Sequence, residues 1–279
     1  MNKQNKSEFE QFLRQPDNQI NLAEGALMVA RMEYPDLNIE ACLQEIHQLA
    51  DEIRETLSEN PNAGETLTQL NKMLFHKKGF DGNSEHYYDP RNNFLNDVLK
   101  RKLGVPVSLS ILYIELGKEL DLPLTGVSFP GHFLVKLEID DGAIVLDPYF
   151  GGISLSEDDL EDRLQEFYGD KLKKSHFHGL LETCSNKNII TRILRNLRNL
   201  YMDGEKFEKA LQMADYMVDL DDDKADALKA RASIYDKLEC SVPAVKDYQR
   251  YLKINTHGKD VPFIRERIIN LSEQSRLMC

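Results

Sequence analysis

Tryptophan is absent from this chain, cysteine is confined to four positions, and basic residues are outnumbered, 35 Lys+Arg against 47 Asp+Glu. Each scarcity excludes something. Cys42, Cys184, Cys240 and Cys279 are far apart and form no CxxC pair. Neither a zinc site nor a disulfide framework is indicated, and four reduced thiols are expected. The net charge of −12 argues against nucleic acid or an anionic membrane as partner. The small basic clusters, Lys100-Arg101-Lys102 and the row Arg192, Arg195, Arg198, do not reverse it. No apolar run approaches the roughly 20 residues that cross a bilayer. The opening MNKQNKSEFEQF lacks the apolar stretch of a secretory signal. A cytoplasmic protein without membrane association, metal or cofactor is expected. His176 and His178 have the spacing of a metal pair, but no third ligand is near in sequence.

With 279 residues, 41% of them hydrophobic, the chain is long enough for one large domain or two ordinary ones. The first eighty residues read as helices. Apolar spacing predicts a helix over 22–34, stopped by Pro35. Asn38 can cap a second helix through about Ser58, and a third follows Gly64. GFDGNSEHYYDPRNN reads as a long ordered loop, and NFLNDVLKRK as a short helix. Helical spacing returns from Ser108 to Leu120. The period then changes from 3.6 to 2: VSFPGHFLVKLEI and AIVLDPY are two strands, with Asp140-Asp141-Gly142 as a hairpin turn. The first ~180 residues are therefore predicted to be α+β, helices followed by a small antiparallel sheet.

The last third repeats itself. Leu194 and Leu228, Tyr201 and Tyr235, Ala210 and Ala244, and Leu220 and Ile254 are each 34 residues apart. That period with those residue types is the tetratricopeptide pattern, stacked helix-turn-helix units. Gly204 is placed at the first turn, Asp219 to Asp223 between repeats, and a capping helix over 263–277.

Chemistry concentrates between residues 104 and 149. Ser108 lies at the start of a predicted helix, where backbone N–H groups favour negative charge. It is either a nucleophile, with an oxyanion finding donors nearby, or a plain N-cap; Ser110 could cap in the same way. His132 is predicted to open a strand. If residues 139–142 form the hairpin loop, Glu138 pairs with Ala143, and Asp147 becomes a diagonal neighbour of His132. A one-residue slip would send Asp147 to the other face. Asp147-Pro148 is also a common turn starter. Asn93 and Asn96 lie upstream and are either oxyanion donors or helix caps.

GVPVSLSILYIELGKELDLPL, FPGHFLVKL and VLDPYFGG, in that order, resemble the transglutaminase-like core. LAEGALMVARMEYP, YYDPRNNFLNDVL and the C-terminal repeats narrow the resemblance to the bacterial transglutaminase-like family that carries the SirB name. It covers nearly the whole chain. The resemblance implies a papain-like α+β domain over 1–183 and an all-α repeat domain over 184–279. It places Ser108, His132 and Asp147 where the family core has Cys, His and Asp. With the thiol absent, it implies a protein-binding or regulatory module with a degenerate cleft, its protein or peptide partner held by the helical repeat. The alternative is a serine-dependent hydrolase or acyltransferase built on the same three residues, so whether the chain is an enzyme stays open.

Overall fold

The computed structural model describes residues 3–139, 142–169, 178–220 and 224–277. His176, Asp140, Asp141, Asp221 to Asp223 and Cys279 lie outside the described residues. The chain divides into two compact units, residues 1–193 and 194–279.

The first unit is built around one helix. α1 (Lys3–Leu13), α2 (Leu22–Glu33), α3 (Ile39–Arg54), α4 (Ala63–Asn71) and α5 (Leu95–Arg101) precede α6 (Pro106–Glu119). Every residue of α6 from Pro106 to Gly117 is buried. A helix apolar on all sides is a central one. Leu109, Ile111, Leu112, Tyr113 and Leu116 are fully enclosed, each contributing about 1.5–3 kcal/mol by burial. Asn21, Asn38 and Asn62 cap α2, α3 and α4, their side chains accepting from the N–H groups of Glu24, Ala41 and Glu65. Two boundaries differ from the sequence expectation. α3 ends at Arg54 rather than Ser58, and α4 passes into a π-helical turn over Lys72–Lys77. The loop after it is ordered, as expected, and contains short regular elements. β1 (Asp81–Gly82) pairs in parallel with β2 (Leu103–Gly104), and a 3₁₀ turn covers Pro90–Asn93.

One polar side chain reaches into the helix core. Glu115 is buried on α6 and accepts the backbone N–H of Leu22 at 2.7 Å and the amide of Asn21 at 3.2 Å, closing the start of α2. Burial pushes its carboxyl above the usual glutamate range. A raised acid binds its proton more readily in the folded state. Its contribution is therefore full below the ordinary glutamate value and is lost as pH rises through the folded one. The stability difference between the wild type and Glu115→Gln is expected to shift toward the wild type by about 1 kcal/mol between pH 7 and pH 5. Hydrogen exchange of the α2 and α6 amides at both values, referenced to the intrinsic rates, measures it, and a shift in the opposite direction would show that the N-cap contact outweighs desolvation.

The sheet follows α6. β3 (Leu124–Val127), β4 (Leu134–Ile139), β5 (Gly142–Asp147) and β6 (Ile153–Leu155) lie in that order, all antiparallel. Glu138 pairs with Ala143 and Val135 with Leu146, which puts Asp147 on the same face as Val145. Val135, Leu137 and Leu146 are buried on one face. On the other, Val127, Leu134 and Val145 join Phe129 and two leucines of α7 (Glu157–Tyr168), Leu160 and Leu164.

The second unit is all helical: the end of α8 (Asn186–Asp203), then α9 (Phe207–Leu220), α10 (Lys224–Lys237), α11 (Ser241–Ile254) and α12 (Val261–Leu277). α9 and α11 are displaced by 34 residues at both ends. Leu194, Leu228, Ala210 and Ala244 are buried at matched positions, whereas Ile254 is exposed. Gly204 lies in the first turn, as expected, and the left-handed residue of each turn is Glu205 or Glu239. Asp247, 2% exposed, holds Arg231 through two hydrogen bonds at 2.6 and 3.0 Å, and Arg231 also reaches Asp215, so α9, α10 and α11 share one ionic tie.

Candidate functional site

His132 is placed by a turn rather than by a strand. Its N–H donates to the carbonyl of Phe129 at 3.0 Å. Pro130 and Gly131 occupy the two central positions, with φ of Gly131 at +69°. A turn of this kind wants proline second and glycine third. A Cβ at Gly131 would also lie 2.8 Å from the ring of Phe167. β4 begins only at Leu134, so the expectation that His132 opens the strand is corrected by two residues.

Asp147 ends β5, fully buried, and turns the chain into a 3₁₀ segment over Pro148–Phe150. Its Oδ1 accepts the N–H of Tyr149 at 3.1 Å. The Nε2 of His132 lies 3.0 and 2.9 Å from its two oxygens. The second partner is one that sequence reading did not nominate: Arg163, whose Nη1 donates to Oδ2 at 2.6 Å. α7 supplies it. Leu160, Arg163, Leu164 and Phe167 recur at helical spacing, so the stripe that buries its leucines on the sheet carries Arg163 over Asp147. Burial alone would raise the carboxyl of Asp147, but His132 and Arg163 together hold it below the ordinary aspartate value. With Nε2 turned to the carboxylate, Nδ1 is left as the ring nitrogen able to accept a proton from elsewhere.

Aromatic rings enclose this pair. His132 stacks on Phe150, with centroids 6.1 Å apart, and meets the edge of Tyr149 at 5.8 Å. The guanidinium of Arg163 lies over Phe150 at 5.5 Å. Beside them opens a cavity of about 480 Å³ whose walls include Phe129, His132, Phe150, Arg163, Glu166 and Phe167.

Ser108 is elsewhere in its bonding. α6 starts at Pro106, two residues before the sequence expectation, and Ser108 sits in its first turn, 1% exposed. The hydroxyl donates to the backbone carbonyl of Asn92 at 2.6 Å and accepts the N–H of Val105 at 3.1 Å. It therefore closes the helix start from inside, in the manner of the third residue of a capping box. Among the described residues no hydrogen bond joins Ser108 to His132. Gly104 makes room for it: a Cβ there would stand 2.8 Å from Oγ. Ser110 is wholly buried, and its hydroxyl has no hydrogen-bond partner. Asn93 is buried at the end of the 3₁₀ turn, and the Oδ1 of Asn96, on α5, is buried without a hydrogen-bond partner. Cys184 bonds the carbonyl of Gly126, and burial pushes its thiol up to about 11, so little thiolate forms there.

Asn92 is the residue whose importance the sequence concealed. It is fully buried. Its Oδ1 accepts from Asn83 at 3.0 Å and from Arg101 at 3.2 Å, while its Nδ2 donates to the carbonyls of His86 and Tyr87 at 2.8 and 3.3 Å. It pins the 83–93 loop and holds out the carbonyl that engages Ser108.

A helix-borne serine, a turn-borne histidine and a strand-end aspartate on a small antiparallel sheet define a transglutaminase-like unit. Residues 40–195 match the model of the transglutaminase-like superfamily, and the chain belongs to that family. Residues 197–268 match the tetratricopeptide repeat. The chain is 35% identical over 259 residues to a UPF0162 protein of Xylella fastidiosa, covering 92% of each. It is 30% identical to one of Vibrio cholerae, covering 92% of this chain and 95% of that one. Protein SirB1 of Salmonella typhimurium is 25% identical, over 85% of this chain and 87% of its own. No solved structure matches. Among the described residues no helix is long and apolar enough to cross a membrane.

Proposed function

We propose that this is a cytoplasmic protein-binding module in which the transglutaminase-like unit keeps a His–Asp pair without a working nucleophile, and the repeat unit holds a partner segment. The observation that carries the reading is the bonding of Ser108. A serine nucleophile needs its proton within reach of a base. Here that proton is given to Asn92 at 2.6 Å, and the lone pair receives Val105 N–H. Freeing it would give up both of these bonds and leave the Val105 N–H and the Asn92 carbonyl with only their own mutual contact at 3.3 Å. Tetratricopeptide arrays bind segments of other proteins in their grooves, which supports the partner reading for residues 197–268.

A serine hydrolase or acyltransferase using Ser108, His132 and Asp147 is the second reading. It is favoured by the 2.9 Å His132–Asp147 contact, which fixes the ring as a base would be fixed. A fluorophosphonate probe separates the two. No labelling of the wild type above that of Ser108→Ala is the expected outcome. Stoichiometric labelling that disappears in Ser108→Ala would overturn the binding-module reading. Ser108→Ala is expected to unfold about 1–2 kcal/mol more easily, because it loses a helix-closing bond.

A further inference from the structure

Charge is divided unevenly along this chain. Residues 194–279 carry 15 Lys+Arg and 15 Asp+Glu, so the net −12 belongs entirely to residues 1–193. Within the neutral repeat unit, cations tie carboxylates of facing helices: Arg231 holds Asp215 and Asp247, Arg267 holds Asp236, and Lys229 holds Asp260. One face stands apart from these ties. α11 buries Ala244, Asp247, Tyr248 and Tyr251. Opposite that seam Val242, Lys246, Gln249, Arg250 and Lys253 are exposed. Three cations therefore share one face over about three turns. No carboxylate interrupts them, because Asp247, the one acid of α11, turns inward to Arg231. Arg250 touches Asp247 at 3.5 Å, but Arg231 already engages both oxygens of that carboxylate.

The repeat does not demand this stripe. At the matching positions of α9, 34 residues earlier, stand Glu208, Gln212, Asp215, Tyr216 and Asp219. The same packing is thus built there without a cation, so the basic residues of α11 belong to its surface rather than to its fold. A counterpart of opposite sign and similar length lies in the first unit. α7 buries Leu160 and Leu164 on the sheet. On its opposite face Asp158, Asp162 and Glu166 recur every four residues, all exposed. Like charges at i, i+4 destabilise the helix that carries them. Both helices bear such pairs, Lys246 with Arg250 and Asp158 with Asp162 with Glu166. Facing the two rows to each other relieves both, and their common interval of about 6 Å keeps them in step.

We propose that the basic face of α11 docks on the acidic face of α7 in a second copy of this chain. Lys246, Arg250 and Lys253 meet Asp158, Asp162 and Glu166, and Val242, 69% exposed, adds apolar contact at one end. Charge selects this occupant: acidic first units repel one another, whereas the neutral repeat unit offers them a basic face. The contact is heterologous, so a second such contact closes a pair or the copies continue as a chain. One helix face buries less than a standard interface of about 1,600 Å². The association is therefore weak, with a Kd of about 100 μM, and strongest at low salt. It involves neither Ser108 nor His132 and does not depend on the partner reading above, so its failure would leave that reading and the labelling result intact.

Sedimentation velocity of the full chain, from about 5 to about 500 μM, tests it. The weight-average mass is expected to rise above that of one chain at about 50 mM salt and to return to it at about 500 mM. Lys246→Glu with Lys253→Glu, and separately Asp162→Lys with Glu166→Lys, should each weaken self-association about tenfold or more. All four positions are exposed, and far-UV circular dichroism checks that both variants fold. The milder Lys246→Gln with Lys253→Gln should weaken it about threefold. Mixed in equal amounts, the two charge-reversed variants face each other with opposite signs again. Association should then recover to within about threefold of the wild type, which only a contact between chains can do. A wild type monomeric over the whole range would overturn the proposal. So would undiminished association of the variants, or a mixture of folded variants that stays monomeric. If the wild type is monomeric but binds polyglutamate through Lys246 and Lys253, the occupant is an acidic segment of another protein and the second-copy proposal fails.

Discussion

Asp147→Ala is expected to cost the first unit about 3–5 kcal/mol, a large share of the stability of a domain this size. The carboxylate is fully buried and is the meeting point of His132, Arg163 and the N–H of Tyr149. Removing it leaves a guanidinium, 25% exposed, without its partner, and leaves the turn after β5 uncapped. The loss is predicted to depend on pH. Because the carboxyl is held below the ordinary aspartate value, its contribution is present above that value and disappears as pH falls through the folded one. The gap between wild type and variant should therefore be full at pH 7 and should narrow as pH falls below the ordinary aspartate value. A chain of two compact units need not unfold as one cooperative transition, so hydrogen exchange of the β4 and β5 amides is the suitable measurement. Arg163→Met alone should cost less, about 1–2 kcal/mol, since His132 still faces the carboxylate. The double variant Asp147→Asn with Arg163→Met should recover part of the loss, because no charge is then left unpaired. A cost below about 1 kcal/mol for Asp147→Ala would mean that the buried pair contributes little net stability, as buried ion pairs sometimes do.

What could be read from the chain beforehand divides along a physical line. Local signals were legible. Phe-Pro-Gly-His carries a turn signal, because proline fixes one torsion and glycine permits the next, yet the apolar residues around it read as a strand opened by His132, and the structure moves that start to Leu134. The pairing of Glu138 with Ala143 rested on taking residues 139–142 as the hairpin loop, and the structure has that register, with Val135, Leu137 and Leu146 buried on one face. The 34-residue offset was legible because helices that stack on their own copies must repeat their buried residues. Features made by distant parts of the chain were not. Arg163 lies in a helix of which half the residues are carboxylates, and nothing local distinguishes it from a solvated cation; only the sheet face beneath α7 gives it Asp147. Likewise β1 and β2 are two residues each, too short for any period to show.

Ser108 shows the same limit at the site. Its residue type and helix-start position are compatible with a nucleophile and with a cap. The choice turns on which atom receives its proton, and that atom is the carbonyl of Asn92, 16 residues away. Sequence reading nominated Asn93 and Asn96 in this stretch because an amide near a nucleophile suggests a donor. The structure instead uses a backbone oxygen, and every residue type has one.

Asn92→Ala is the second large effect and tests that arrangement directly. All four hydrogen bonds of the side chain are buried or partly so, and two of them go to the carbonyls of His86 and Tyr87. Truncation leaves those carbonyls, the amide of Asn83 and one guanidinium N–H of Arg101 short of a partner. The expected cost is about 3 kcal/mol. The loss should be local in its dynamics: amides of 83–93 are expected to exchange ~10²-fold faster, corresponding to opening about 3 kcal/mol less costly, while β4 and β5 change little. Asn92→Asp keeps the acceptor toward Arg101 but loses both donors, so it should fall between alanine and the wild type. The carbonyl facing Ser108 belongs to the same residue, so loosening the loop also loosens the partner of the hydroxyl. If that bond is what silences the serine, fluorophosphonate labelling of Ser108 should rise in Asn92→Ala from background to a detectable fraction, and Asn92→Ala combined with Ser108→Ala should remove it. If labelling stays at background although exchange shows the loop released, the hydroxyl is kept from His132 by its place in the first turn of α6 rather than by its bond to Asn92.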